Sequence, residues 1–244
     1  VVEYKGSSVY DNDEFLSNYL SRRHREESPN NIIEKPVLME LIGDVTANQI
    51  LDLGCGDATI GFELIQQGCC FYEGVEGSKK MVEQALEVLK GTNSKMNHSS
   101  METWNFPEET YDKVISRMAF HYIEDLKPIF TKVYKSLKAN GRFIFSVQHP
   151  ILTSSAESAT NSSQRTNWVV DDYFHIGKRV EPWIEKEVVK YHRTVQEYFK
   201  LIKNEGFSID EISECSPRKE NFKSEAEFMR RMRIPLILVF SCSK

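Results

Sequence analysis

Long apolar runs are missing from this sequence. The longest, Ile234 to Phe240, is interrupted by Pro235 and falls far short of the ~18 residues needed to cross a bilayer, so no membrane span is expected. Cysteine is scarce. Cys55, Cys69, Cys70, Cys215 and Cys242 are odd in number and form no C-x-x-C pair, which fits neither a disulfide framework nor a zinc ribbon. A reducing cytoplasm is the simplest home. No basic-then-apolar segment follows Val1-Val2-Glu3, so no secretory signal is expected, and the lack of an initiator Met is consistent with a trimmed start. Internal repeats and sustained heptads are absent too. So is a concentrated basic face: residues 1–150 hold 16 Lys+Arg against 22 Asp+Glu (net −6), and residues 151–244 hold 15 against 14 (net +1). Phosphate-backbone binding needs clustered positive charge, so nucleic acid is not expected as a partner. An acidic N-terminal half suits a neutral or cationic ligand.

What is present is an ordinary globular balance: 244 residues, 40% hydrophobic and 27% charged, enough for one to two domains. Asp11 to Ile42 reads as helical, with Phe15, Tyr19 and Leu20 on one stripe, and with Asn30 or Asn31 as cap of a second helix. The period then changes. Short strands at Gln49–Leu53, Cys70–Glu76, Lys95–His98, Tyr111–Ser116 and Arg142–Val147 alternate with helices at 58–67, 79–89 and 126–138. That alternation predicts an α/β domain with helices on both faces of a parallel sheet. After His149-Pro150 the pattern breaks. Thr153 to Gln164 is Ser/Thr/Ala/Asn-rich and expected to be mobile, and residues 168–192 are aromatic, alternating like short strands. A helix over 195–204, a Gly206 stop and strands at 207–212 and 234–240 close the chain. The expected organisation is one domain: a helical cover (1–44), a ligand-binding core (45–150), a lid insertion after the fifth strand (151–192) and a C-terminal part (193–244).

The informative segment is Leu51-Asp52-Leu53-Gly54-Cys55-Gly56-Asp57-Ala58-Thr59. A glycine-rich turn between strand and helix lets a ligand press against bare backbone beside the helix N-terminus. Glu76 ends the next strand, 22 positions after Gly54, where a carboxylate can accept from ribose hydroxyls. The dinucleotide fingerprint would need Gly or Ala where Thr59 stands. Asp57 also opposes a pyrophosphate: two like charges 4 Å apart repel by roughly 4 kcal/mol at an effective dielectric near 20. S-adenosylmethionine, an adenosine derivative with a sulfonium and an ammonium but no phosphate, meets no such repulsion.

This turn resembles motif I of the class I S-adenosylmethionine-dependent methyltransferases. The resemblance continues through Gly74-Val75-Glu76-Gly77-Ser78 with Met81, through Phe106 to Ser116, and through Asn140-Gly141-Arg142-Phe143-Ile144-Phe145-Ser146, similar to the "type 11" branch. The tail, from Phe145 to Pro150 and Lys190 to Thr194, resembles a bacterial subgroup acting on small molecules. The resemblance implies a Rossmann-like, seven-stranded, mostly parallel sheet whose last strand is antiparallel, with S-adenosyl-L-methionine as cofactor and S-adenosyl-L-homocysteine as product. It implies that Asp52 and the Gly54-Cys55-Gly56 backbone hold the methionine portion, Glu76 the ribose, and Gly77, Met81, Ser100 and Met101 the adenine. The Ser116 carbonyl would take the ammonium, with Arg117 beside it. Many relatives carry Asp where Ser100 falls, and Ala58 replaces a third glycine.

Other residues admit two readings. Cys55 reads as a nucleophile or, lacking a neighbouring base, as a small side chain packed behind the turn. His121, His149 and His192 read either as a general base or substrate contact, or as hydrogen-bonded structural histidines; none has metal-ligand spacing. Tyr10 and Tyr19 would cover the cofactor, or Tyr19 belongs to a packed helix stripe. The aromatics from Trp168 to Tyr191 form an acceptor pocket or line a lid. No Asn-Pro-Pro-Tyr, Asp-Pro-Pro-Tyr or Pro-Cys is present, which argues against DNA-base methylation and leaves a small-molecule substrate by elimination. The rival readings are a non-catalytic S-adenosylmethionine-binding protein and an NAD-dependent oxidoreductase.

Overall fold

The computed structural model of the chain describes residues 3–159, 165 and 167–244. It opens with β1 (Glu3–Tyr4) and a 3-10 turn over Gly6–Asp11. Helix α1 (Asp13–Arg23) begins where the Asn12 side chain accepts from the Phe15 N–H at 3.0 Å. Its first turn carries Asp13 and Glu14 and its last Arg22 and Arg23, charges matched to the helix dipole. The helical stretch expected over Asp11–Ile42 is broken. A π-helical turn (Asn30–Glu34) intervenes before α2 (Lys35–Ile42). Neither Asn30 nor Asn31 caps that turn with its side chain. The Asn31 amide donates instead to the carbonyls of Arg23 and Arg25, at 3.3 and 2.9 Å, closing the α1 end back on itself.

The core follows as β2 (Gln49–Leu53), α3 (Thr59–Gln66), β3 (Phe71–Glu76), α4 (Lys79–Val88), β4 (Ser94–His98), β5 (Tyr111–Arg117), α5 (Lys127–Ser136) and β6 (Leu137–Gln148). A short α6 (Pro150–Thr153) leads to a hairpin of β7 (Gly177–Trp183) and β8 (Lys186–His192). Then come α7 (Val195–Asn204), β9 (Ser208–Ser213), α8 (Glu225–Arg231) and β10 (Ile237–Ser243). The main sheet runs β4-β3-β2-β5-β6-β10-β9, parallel except that β10 is antiparallel to both neighbours. Alternation sorts its side chains onto two faces. Val114, Phe143, Phe145 and Phe240 pack with Phe120 and Phe130 on one, while Ile115, Ile144 and Val239 pack with Leu38, Ile42 and Leu64 on the other.

The N-terminal segment and the insertion are one structure. β1 pairs parallel to β8 in a three-stranded sheet ordered β1-β8-β7, over a small core of Val9, Phe15 and Val188 flanked by Tyr10, Tyr19, Tyr122 and Trp183. Within the stretch from Thr153 to Gln164, Thr153 is buried and Glu157–Ala159 is a 3-10 turn. Residues 160–164 lie outside the described residues. Among the described residues no helix is long and apolar enough to cross a membrane.

Candidate functional site

The chain enters the main sheet at β2, builds outward to β4, and returns to β5 on the other side of β2. The connections therefore part at the carboxyl ends of β2 and β5, where sheets of this kind open a crevice. A cavity of about 450 Å³ lies there, walled by the β2–α3 turn, the ends of β3 and β5, and the N-terminal segment.

Asp52 reaches this cavity from the interior of β2 and is itself fully buried. Its Oδ2 accepts from the Tyr72 hydroxyl at 2.7 Å, whereas Oδ1 is buried with no partner. Burial pushes the Asp52 carboxyl up to about 7, against the opposing influence of Tyr72 and Arg117. The turn beyond it is left-handed at Gly54 (φ +71°), Gly56 (φ +58°) and Ala58 (φ +55°). A Cβ at Gly54 would stand 2.6 Å from that of Ala119, so this strand end and the β5 exit approach as only glycine permits. Glu76 is held on both oxygens: Oε2 accepts from the Gly56 N–H (3.0 Å) and Oε1 from the Ser78 N–H (2.9 Å). Burial raises its pKa while these N–H groups oppose the rise.

The N-terminal segment is stitched to this frame. The Ser78 hydroxyl donates to Asp11 at 2.7 Å, and His24 Nε2 meets Asp57 Oδ2 at 2.6 Å. Burial works against the Asp57 charge, but the bonds from His24 and Thr59 prevail and hold its carboxyl below the usual range. Arg117 is ion-paired: Nε donates to Glu34 Oε2 and Nη2 to the Asn30 carbonyl, each at 2.6 Å. Glu34 in turn accepts from the Ser146 hydroxyl at 2.7 Å.

Asp52, Gly54, Cys55, Gly56, Glu76, Gly77, Met81, Ser100, Met101, Arg117 and Tyr19 all line this one cavity. Ser116 does not. Its buried hydroxyl donates to the Leu53 carbonyl at 2.8 Å, tying β5 to β2. The three histidines expected near the chemistry are also outside the lining. His121 Nδ1 accepts from the Gln148 N–H at 3.4 Å, His149 contacts Glu214 at 3.1 Å, and His192 is held between the Thr153 hydroxyl (2.7 Å) and the Tyr173 carbonyl (2.9 Å). Burial pushes all three imidazoles down, toward the neutral form. The structure does not bring these three rings to the cavity wall: each is buried and hydrogen-bonded elsewhere. Cys55 faces the cavity, and burial drives its thiol up, which disfavours the thiolate.

An aromatic wall takes the place of the histidines. Tyr10, Tyr19 and Tyr122 line the cavity, with Tyr10 and Tyr19 at 4.8 Å between ring centres and Trp183 backing all three. Burial pushes each of the three hydroxyls up, so they stay protonated. Of the aromatics between Trp168 and Tyr191, only Tyr191 reaches the cavity; its hydroxyl donates to Glu124 at 3.2 Å. Tyr122, Arg23, Asn30 and Glu124 are lining residues that the sequence reading passed over. For Tyr122 a signal existed, its place just beyond the fourth core strand; for Arg23 there was none. Among the described residues no cluster of three or more His, Cys, Asp or Glu could hold a metal ion.

Comparison with known proteins gives a consistent picture. The model of a family described as a methyltransferase domain matches residues 50–141. An uncharacterized protein from Haemophilus influenzae is 31% identical over 217 residues, 85% of each chain. A structure from Listeria monocytogenes described as an S-adenosylmethionine-dependent methyltransferase is 30% identical with a TM-score of 0.78, covering 86% of this chain and 95% of that one. An S-adenosylmethionine-dependent methyltransferase from Mesorhizobium loti is 28% identical with a TM-score of 0.80, covering 87% and 98%.

Proposed function

Since the chain belongs to the class I S-adenosylmethionine-dependent methyltransferases, we propose that its cavity holds the cofactor along the ends of β2 and β3 and admits a small-molecule acceptor beneath the tyrosine wall. The observation that carries this reading is Asp52 Oδ1, a buried carboxylate oxygen without a partner at the rim of a glycine turn. Such an atom is costly unless a donor or cation meets it, and the residues around it fit this cofactor. When bound, S-adenosylmethionine supplies a methyl group on a cationic sulfur, which leaves readily in an in-line displacement.

The chain's own residues supply position and dryness. Asp52 holds the ammonium. Glu76, its oxygens fixed by Gly56 and Ser78, accepts from the ribose hydroxyls. Gly77, Met81, Ser100 and Met101 border the adenine. Tyr10, Tyr19 and Tyr122, protonated and backed by Trp183, orient the acceptor and exclude water, a contribution worth several kcal/mol toward the barrier. With the three imidazoles outside the cavity, the acceptor atom is one that attacks without an imidazole to deprotonate it.

The test is incubation of the purified protein with methyl-labelled S-adenosylmethionine and a cell extract separated into small-molecule and macromolecular fractions. Label in the small-molecule fraction supports the reading. Label confined to protein or nucleic acid overturns the small-molecule assignment.

A further inference from the structure

The tyrosine wall has a charged anchor behind it. Lys190 on β8 and Glu181 on β7 are both buried, with side-chain exposures of 6% and 11%, and they form an ion pair. Neither side chain lines the cavity, and neither takes part in the chemistry described above. A buried ion pair is a poor source of stability, because taking both charges out of water offsets most of their attraction, and apolar residues of similar volume often serve as well or better. The reach of this pair is more telling. Lys190 Nζ also donates to Gln148 Oε1 at 2.8 Å. It lies 5.8 Å from the centre of the Tyr122 ring and 5.6 Å from that of Trp183, within cation–π range of both. Among the described residues no third acceptor meets the ammonium, and the two ring faces take that place.

These contacts join parts of the chain that are far apart in sequence. Gln148 ends β6 in the main sheet, and Tyr122 closes the 3-10 turn that follows β5. Glu181 and Trp183 belong to β7 in the insertion. Lys190 therefore bridges core and insertion at the back of the wall. The Tyr122 and Trp183 rings are nearly parallel, 19° apart in plane with centres 6.3 Å apart, and the ammonium forms the third corner of that triangle. Trp183 in turn meets Tyr10 and Tyr19 edge-on, at 6.1 and 5.6 Å between ring centres. A displacement of Nζ thus passes through Trp183 to all three tyrosines of the cavity wall. The neighbouring His121 adds no charge of its own: burial first, and then the Lys190 and Arg193 charges, push its imidazole down toward the neutral form.

Resting on the reading that an acceptor sits beneath this wall, we propose that Lys190 is a positioning residue of the acceptor site: fixed by Gln148 and Glu181, its ammonium holds the Tyr122 and Trp183 rings where the wall meets the acceptor. Lys190 itself stays outside the cavity lining. Its effect therefore falls on the rate of transfer and not on cofactor affinity. An in-line displacement is sensitive to the placement of the acceptor, and an error of about 1 Å costs on the order of a hundredfold in rate.

The experiment follows transfer from saturating methyl-labelled S-adenosylmethionine to the small-molecule fraction of a cell extract at serial dilutions, which yields a maximal rate and an apparent KM. Calorimetric binding of S-adenosylhomocysteine is measured beside it. Lys190→Met combined with Glu181→Leu removes both charges at once, so no buried charge is left alone. This double variant is expected to bind S-adenosylhomocysteine as the native protein does and to transfer about tenfold or more slowly at saturating acceptor. Lys190→Arg, which keeps the charge and can stack on the rings, retains part of the rate. Native-rate transfer by the double variant, or an equal loss of rate and of S-adenosylhomocysteine affinity, overturns the proposal, because the pair would then support the fold alone. Gln148→Leu withdraws one support from Lys190 without stranding a charge and is expected to slow transfer in the same sense. If the double variant does not fold, a native rate in Gln148→Leu overturns the proposal. If the native protein labels no small molecule, it is the functional reading that has failed, and the positioning role falls with it.

Discussion

Asp52 shows how a single side chain divides stability from function. Its carboxyl, pushed up to about 7, stands well above the usual aspartate range, so ionising it in the folded protein costs on the order of 4 kcal/mol at ~1.4 kcal/mol per pH unit. A carboxyl raised in this way favours the folded state in acid and withdraws that support as pH rises from about 4 through 7. Asp52→Asn is therefore expected to raise the unliganded melting midpoint at pH 8, to leave it nearly unchanged at pH 4, and to weaken S-adenosylmethionine binding at least tenfold. Thermal melts across that range and calorimetry check both halves. Gly61 tests the support beneath Asp52. A Cβ there would come 2.2 Å from the Tyr72 ring, displacing the hydroxyl that Asp52 accepts from. Gly61→Ala should cost about 1–3 kcal/mol in denaturant unfolding, as overpacking does, and should lower cofactor affinity although residue 61 is not in the cavity wall. The residues of the turn were legible in the sequence because their backbone leaves no substitute: a left-handed Gly54 pressed on Ala119 has to be glycine. That His121, His149 and His192 lie outside the cavity wall was not legible, because residue type and strand-end position say nothing about which way a ring turns.

At the scale of elements, what could be read followed the strength of the local pattern. The core strands and helix α7 carry unbroken periods or a clear cap, as where Thr194 accepts from the Glu197 N–H. In the insertion the alternation over 168–192 pointed to short strands, as found in β7 and β8, but the turn that joins them carried no signal. That two-residue turn is Ile184-Glu185, with φ of +47° and +61°, a conformation that usually announces itself with Asn or Gly. Packing of Ile184 and Trp183 into the small core overrides that preference. Glu185→Gly should accordingly relieve strain and stabilise the small sheet by about 1 kcal/mol, measured as slower amide exchange in β7 and β8. The helix α8 went unread because Glu225–Arg231 buries no residue and so has no apolar stripe to reveal it. The π-helical turn at Asn30–Glu34 was hidden for another reason. It serves to bring Glu34 and the Asn30 carbonyl onto Arg117, a long-range demand invisible to a local window.

The whole molecule couples its two ends across the cavity. β1 pairs with β8 in the insertion, Asp11 accepts from Ser78, Asp13 pairs with Lys80 and His24 holds Asp57, so the N-terminal segment touches both the insertion and the core. No motif in the first 44 residues foretold this, since pairing between β1 and β8 is fixed by tertiary closure rather than by either segment alone. A ligand that bridges core and cover adds its binding energy to both. At one hundred times its dissociation constant, S-adenosylhomocysteine should stabilise the folded state by about 2.7 kcal/mol, which for a chain of this length is a rise of roughly 5–10 °C in melting midpoint. The same ligand should slow tryptic cleavage at the exposed Arg22 and Arg25, because opening the end of α1 then requires losing the ligand's contacts. A raised midpoint with unchanged cleavage at these sites would mean that the cofactor stabilises the core alone, and that the N-terminal segment opens and closes without reference to what the cavity holds.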